Sequence, residues 1–117
     1  MTEQRESDTA VLQELVDALG IDAARDVVQT LIGDAPRLIA GVRDALERRD
    51  RKALRLHAHT LKSSAGIVGA AGIASLCDMV EQIATSPAEL ETARVPAADV
   101  VRRCENLLGE LRMWLAA

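Results

Sequence analysis

His59 and Lys62 stand three residues apart in the segment Ala58-His59-Thr60-Leu61-Lys62-Ser63-Ser64-Ala65-Gly66-Ile67-Val68-Gly69-Ala70. On a helix, an i, i+3 pair shares one face, with Cβ atoms about 5–6 Å apart. A neutral imidazole is a competent nucleophile, and histidine side chains ordinarily titrate near pH ~6.5, so much of the neutral form is present at pH 7. Attack on a phosphoryl group would give a phosphoramidate, with charge spread over three phosphoryl oxygens. Lys62 is the cation placed to meet that charge, and Ser63 is a further candidate donor. The remaining parts of a phosphotransfer site are missing from the sequence. It has no GxxxxGK[ST] loop, no GxGxxG loop and no obvious acidic cluster for Mg²⁺. The Gly66, Gly69 and Gly72 spacing reads as a helix-to-helix junction. These residues describe a carrier with no cofactor of its own, whose partner brings metal and acid groups.

At ~100° per residue the segment can be drawn as a wheel. Lys52, Arg55, Lys62, Ser63 and Gly66 fall within roughly 60° of His59, with Leu56 at the edge of that sector. Leu54, His57, Leu61, Ala65 and Val68 collect opposite and form the core side. His59 is therefore expected in solvent. His57 points the other way, so the two rings cannot chelate one metal; it is expected at the core edge, hydrogen-bonded. A basic stripe is often no more than a solvated face. Against that reading, Ala58, Ser63, Ser64, Ala65 and Gly66 are a poor choice for a solvated helix, where long polar side chains are preferred. Glycine inside a helix costs ~1 kcal/mol relative to alanine. The small residues imply that something bulky approaches the His59 ring.

Composition sets the frame for these residues. The chain has 117 residues, 49% of them hydrophobic, with one Trp and neither Phe nor Tyr. One domain over residues 1–117 follows from that length. The core must be built from Leu, Ile, Val and Ala, which suits helix-on-helix packing. Fourteen basic against eighteen acidic residues give a net charge of −4, which argues against a nucleic-acid partner. No apolar run reaches the ~20 residues of a membrane span, and the N-terminus lacks the order of a signal peptide. No membrane partner and a cytoplasmic location are therefore expected. Cys77 and Cys104 show no metal spacing and read as reduced, buried small hydrophobes.

Periodicity predicts the elements. Residues 1–7 are polar and expected to be frayed. Asp8 or Thr9 caps a short helix to Leu19, with Val11, Leu12, Leu15 and Leu19 inward and Gly20 as its stop. A long helix from Ile21 to about Arg49 carries Ile21, Ala24, Val28, Leu31, Ala35, Leu38, Val42 and Ala45 on one seam, with a bend expected at Gly33 and Pro36. Asp50 caps a helix from Arg51 to about Val68, and Gly69 ends it. The next runs from Ala71 to Ala84 with Ile73, Leu76, Cys77, Val80 and Ile83 inward. A polar connection through Pro87 and Pro96 leads to a last helix from Ala97 to Leu115, its seam Val101, Cys104, Leu108, Leu111 and Leu115. The fold class is all-α, an antiparallel four-helix bundle with a short additional N-terminal helix.

The string Ala58-His59-Thr60-Leu61-Lys62, followed by Gly66, Val68-Gly69-Ala70 and Leu76-Cys77…Val80-Glu81, resembles the histidine-containing phosphotransfer (HPt) domains of bacterial phosphorelays. Leu46, Asp50 and Leu54 extend the likeness upstream. The resemblance implies that His59 is phosphorylated and that Lys62 steadies its phosphate. It also implies that the surrounding surface, Lys52, Arg55, Leu56, Ser63, Gly66 and Ile67, docks response-regulator receiver domains, whose aspartates exchange the phosphoryl group with His59. Mg²⁺ would come with the receiver, and a hybrid sensor histidine kinase is a candidate source of phosphate. The family commonly has glycine after its lysine; Ser63 implies narrower access. A stand-alone, monomeric relay protein is the expectation. Two alternatives are a receiver-docking or decoy module without turnover and the phosphorylated domain of a chemotaxis-type histidine kinase. A metal-binding bundle would need inward Glu and His pairs, and the seams are aliphatic.

Overall fold

The computed structural model describes residues 5–117. Five α-helices are present among them: α1 (Thr9–Leu19), α2 (Ile21–Glu47), α3 (Arg51–Ile67), α4 (Ala71–Thr85) and α5 (Arg94–Ala116). A short 3-10 turn, Leu90–Ala93, precedes α5. Helix α3 packs most extensively on α4, α2 on α3 and α5, and α4 on α5, which closes a four-helix ring. Helix α1 lies against α2 and α3. The architecture is the expected one, and its core is aliphatic, with Val28, Val42, Leu54, Leu61, Ile73, Val80, Val100 and Leu111 all buried.

The turns around α3 fix where its residues stand. Asp50 caps α3 through its carboxylate, which accepts from Ala53 N–H at 3.0 Å. The preceding helix stops earlier than its apolar seam suggests, at Glu47 rather than Arg49. Arg49 takes a left-handed φ of 55°, and the N–H groups of Asp50 and Arg49 close onto the carbonyls of Ala45 and Leu46 at 2.9 and 3.2 Å. That is a Schellman ending with arginine where glycine is usual. At the other end of α3 the same device recurs with Gly69 at φ 71°, and Ala70 N–H reaches Ala65 C=O at 2.8 Å. A Cβ at Gly69 would lie 2.6 Å from Cβ of Asp8, so both conformation and space require glycine there.

Several expectations change. Leu19 and Ile21 are exposed rather than inward, because they flank the Gly20 corner between α1 and α2 and project past the bundle. Helix α2 continues through Gly33 and Pro36, as its expected span has it. Helix α5 begins at Arg94, with Pro96 in its first turn, where backbone N–H groups have no partner within the helix to lose. The connection before it is not merely polar, since Leu90 and Ala93 are buried.

Residues 1–4 of the segment expected to fray lie outside the described residues; residues 5–7 are not frayed. Glu110 Oε2 accepts from Glu6 N–H at 2.8 Å, and its Oε1 accepts from Ser7 N–H and Oγ at 3.0 and 2.7 Å. Arg103 closes onto the Glu6 carboxylate at 2.9 Å. Polarity alone suggested disorder, but these polar groups have polar partners on α5.

Candidate functional site

The rotation of α3 is set by its core side. Leu54, Ala58, Leu61 and Ala65 are buried, while Lys52, Arg55, Leu56, His59, Ser63, Gly66 and Ile67 are exposed. Each Leu buried in full contributes about 1.5–3 kcal/mol, so turning the helix to hide His59 would cost several kcal/mol in exposed leucine. His59 keeps 55% of its side chain in solvent. The exposed face is the one the wheel predicts, with one correction. Ala58 and Ala65 belong to the core, so their small size answers to packing against neighbouring helices and not to open access. Gly66 does fit the access argument, because a Cβ there would meet nothing within 4 Å.

His57 lies at the core edge as expected, but by packing alone. Its ring presses on α2 at Gly41, where a Cβ would come within 2.7 Å of the imidazole. Among the described residues it forms no hydrogen bond, which corrects that part of the expectation. Cys77 and Cys104 are free and buried. Burial pushes their thiols up, to about 12 and about 11, so neither is a thiolate at neutral pH.

Periodicity did not show what α4 brings to α3. His59 Nδ1 is 3.0 Å from Glu81 Oε2. Lys62 Nζ is 2.9 Å from Glu81 Oε1 and 3.2 Å from Asp78 Oδ1. Gln82 Nε2 donates to the other oxygen of Asp78 at 2.8 Å. Five side chains from two helices thus form one connected polar cluster beside the ring. Two carboxylates, Asp78 and Glu81, therefore lie beside His59 and Lys62. They are acidic partners of a lysine, however, and no group of three or more His, Cys, Asp or Glu side chains placed to hold a metal occurs among the described residues. Asp78 and Glu81 repeat on α4 the i, i+3 spacing of His59 and Lys62 on α3, but spacing alone does not say that the two pairs face each other.

The cluster determines the chemistry of the ring. Burial alone would raise the Glu81 carboxyl, but hydrogen bonds from Lys62 and His59 outweigh it and hold the group below its ordinary value. Glu81 is therefore an ionised acceptor at neutral pH, and an ionised carboxylate cannot donate. In the neutral ring the proton must sit on Nδ1, leaving the lone pair on Nε2. Hydrogen bonds from Lys62 to Glu81 and then to Asp78 raise the Lys62 ammonium above its ordinary value, so it stays charged. The Ser63 hydroxyl, by contrast, donates to the His59 carbonyl at 3.2 Å and is not directed at the ring.

No curated protein matches the chain in sequence. The crystal structure of histidine-containing phosphotransfer protein B (HptB) from Pseudomonas aeruginosa PAO1 shares the fold, with a TM-score of 0.73 at 22% identity, covering 97% of this chain and 94% of that one. The family model described as Hpt domain matches residues 26–114, which take in α3, α4 and most of α2 and α5. On that match the chain belongs to the Hpt domain family, the histidine phosphotransfer domains of phosphorelays.

Proposed function

We propose that His59 is the phosphorylated residue and that the chain carries a phosphoryl group between the aspartates of receiver domains. The observation that supports this reading most is a solvent-exposed imidazole with Nδ1 tied to a carboxylate and Nε2 left as the nucleophile. In the transfer, Nε2 attacks phosphorus and forms the N–P bond. The P–O bond to the aspartyl group breaks, and the aspartate leaves as carboxylate. The ring keeps its Nδ1 proton and becomes cationic. Glu81 faces that developing charge, which lowers its energy. Lys62 is within one turn of the ring and meets the phosphoryl oxygens. The divalent metal enters with the receiver.

Lys52, Arg55, Leu56, Ser63, Gly66 and Ile67 surround His59 on one exposed face and are the proposed receiver contact. Leu56 and Ile67 are 56% and 42% exposed, the apolar part of a surface otherwise basic and small. Under this reading a hybrid sensor histidine kinase is the upstream donor of the phosphate, and the protein acts as a monomer in the cytoplasm.

The test is transfer from a phosphorylated receiver. An acid-labile, base-stable label should appear on His59, and His59→Gln should abolish it with helical circular dichroism unchanged. Label that persists in His59→Gln places the reactive atom elsewhere. A receiver that binds without labelling the protein would leave a docking module in place of a carrier.

A further inference from the structure

Lys62 already has two partners. Its bond to Asp78 is an aligned hydrogen bond at 3.2 Å. Glu81 Oε1 is shut off from solvent and is the nearer partner, 2.9 Å from the ammonium. The ammonium is shared between the two carboxylates, and Asp78, 47% exposed against 17% for Glu81, is the contact it can give up. Asp78 is itself held, by the amide of Gln82 on its second oxygen. With His59 neutral, Lys62, Asp78 and Glu81 leave one negative charge in excess. A phosphoryl group on Nε2 would bring about −1.5 to −2 on its own oxygens at neutral pH, against one positive charge on the ring, and those oxygens lie within reach of the same ammonium.

We propose that Asp78 is a positioning residue that competes with the phosphoryl group for Lys62, keeping the phosphohistidine short-lived and easily passed on. This rests on phosphorylation of His59. An ammonium held by Asp78 must turn from it to bind the phosphate, and the phosphate gains only the difference between the two contacts. Glu81 has a different role, since its Oε2 holds the ring proton. Removing the Asp78 charge frees Lys62 for the phosphate without touching His59.

Loss of the label by hydrolysis reads this out. A water oxygen attacks phosphorus and the N–P bond breaks. The ring leaves neutral with its Nδ1 proton, and dihydrogen phosphate is released. Phosphoramidate, a small-molecule phosphoryl donor, labels the protein without a receiver. Half-lives of the His59 phosphate are then compared at fixed pH and salt for the wild type, Asp78→Asn, Lys62→Ala and the double variant. Asp78→Asn should lengthen the half-life about two- to fivefold, the range of a solvent-accessible ion pair. Lys62→Ala should shorten it, and the double variant should match Lys62→Ala, because Asp78 acts through the lysine. An unchanged half-life in Asp78→Asn overturns the proposal, and so does a lengthening that survives in the Lys62→Ala background. Asp78→Ser repeats the comparison if the Asn variant loses its helical signal. Wild-type protein that takes no label on His59 removes the phosphorylation reading and this inference with it. A labelled wild type with an unresponsive Asp78 removes the inference alone.

Discussion

A carboxylate on Nδ1 changes what an imidazole can do, and at the residue scale Glu81 matters as much as His59. Without it, either ring nitrogen can carry the proton; with it, the lone pair of the neutral ring is left on Nε2. The cluster should be sensitive to acid. The folded-state pKa of Glu81 lies below its unfolded value, so its contribution is complete above the unfolded value of ~4.3 and is lost as pH falls through the folded one. The side-chain carboxyl carbon of Glu81 should titrate in NMR with a midpoint below ~4.3; a midpoint above it would mean that the bonds to Lys62 and His59 do not hold in solution. His59 and Lys62 were legible because both lie on one helix, where spacing alone fixes their relation. Glu81 was not, because it lies 22 positions further along. Its place beside the ring depends on the register of α4 against α3, which the packing of Leu61, Cys77 and Val80 settles and no periodicity encodes.

Helix interiors were readable from the sequence, and helix ends less so. An apolar seam continues to the last residue that packs, whereas a helix ends where its carbonyls find other donors. Arg49 in a left-handed conformation gives no glycine to read, and the α5 start before Pro96 looks like loop composition. Arg51 opens one helix and closes another. Its guanidinium donates to the carbonyls of Ile83 and Ser86, both at 3.1 Å, and also reaches that of Ala88. The first residue of α3 thereby caps the last turn of α4. Hydrogen bonds from a charged group contribute about 1.5–3 kcal/mol, and carbonyls left bare add to the loss. Arg51→Ala should lower stability by about 2 kcal/mol in urea unfolding. A loss below ~0.5 kcal/mol would show that water replaces the guanidinium without penalty.

The whole molecule divides its surfaces between tasks. The α3–α4 side carries the polar cluster and the exposed imidazole. A groove of about 720 Å³ lies between α2 and α5 around Val42, Leu46 and Val95 and shares no residue with that cluster. The N-terminal strap ties a third region together, because Glu110 on α5 holds residues 6 and 7 while Asp8 N–H bonds the Val68 carbonyl at 3.0 Å. Glu110→Ala leaves the buried Ser7 and two backbone N–H groups without their acceptor, a loss of about 1–3 kcal/mol. Hydrogen exchange should quicken across α1 while His59 still takes label; α1 amides that stay protected would show that the strap contributes nothing to holding α1.

Trp114, the lone aromatic side chain, is half-buried near the end of α5 and borders a surface hollow with Arg5 and Glu110. Ultraviolet-excited emission from this protein therefore comes from one indole, on the strap side and on neither helix that bears the reactive cluster. It will follow release of the strap and melting of the bundle while staying blind to a receiver seated over His59, so binding has to be watched with a dye placed elsewhere.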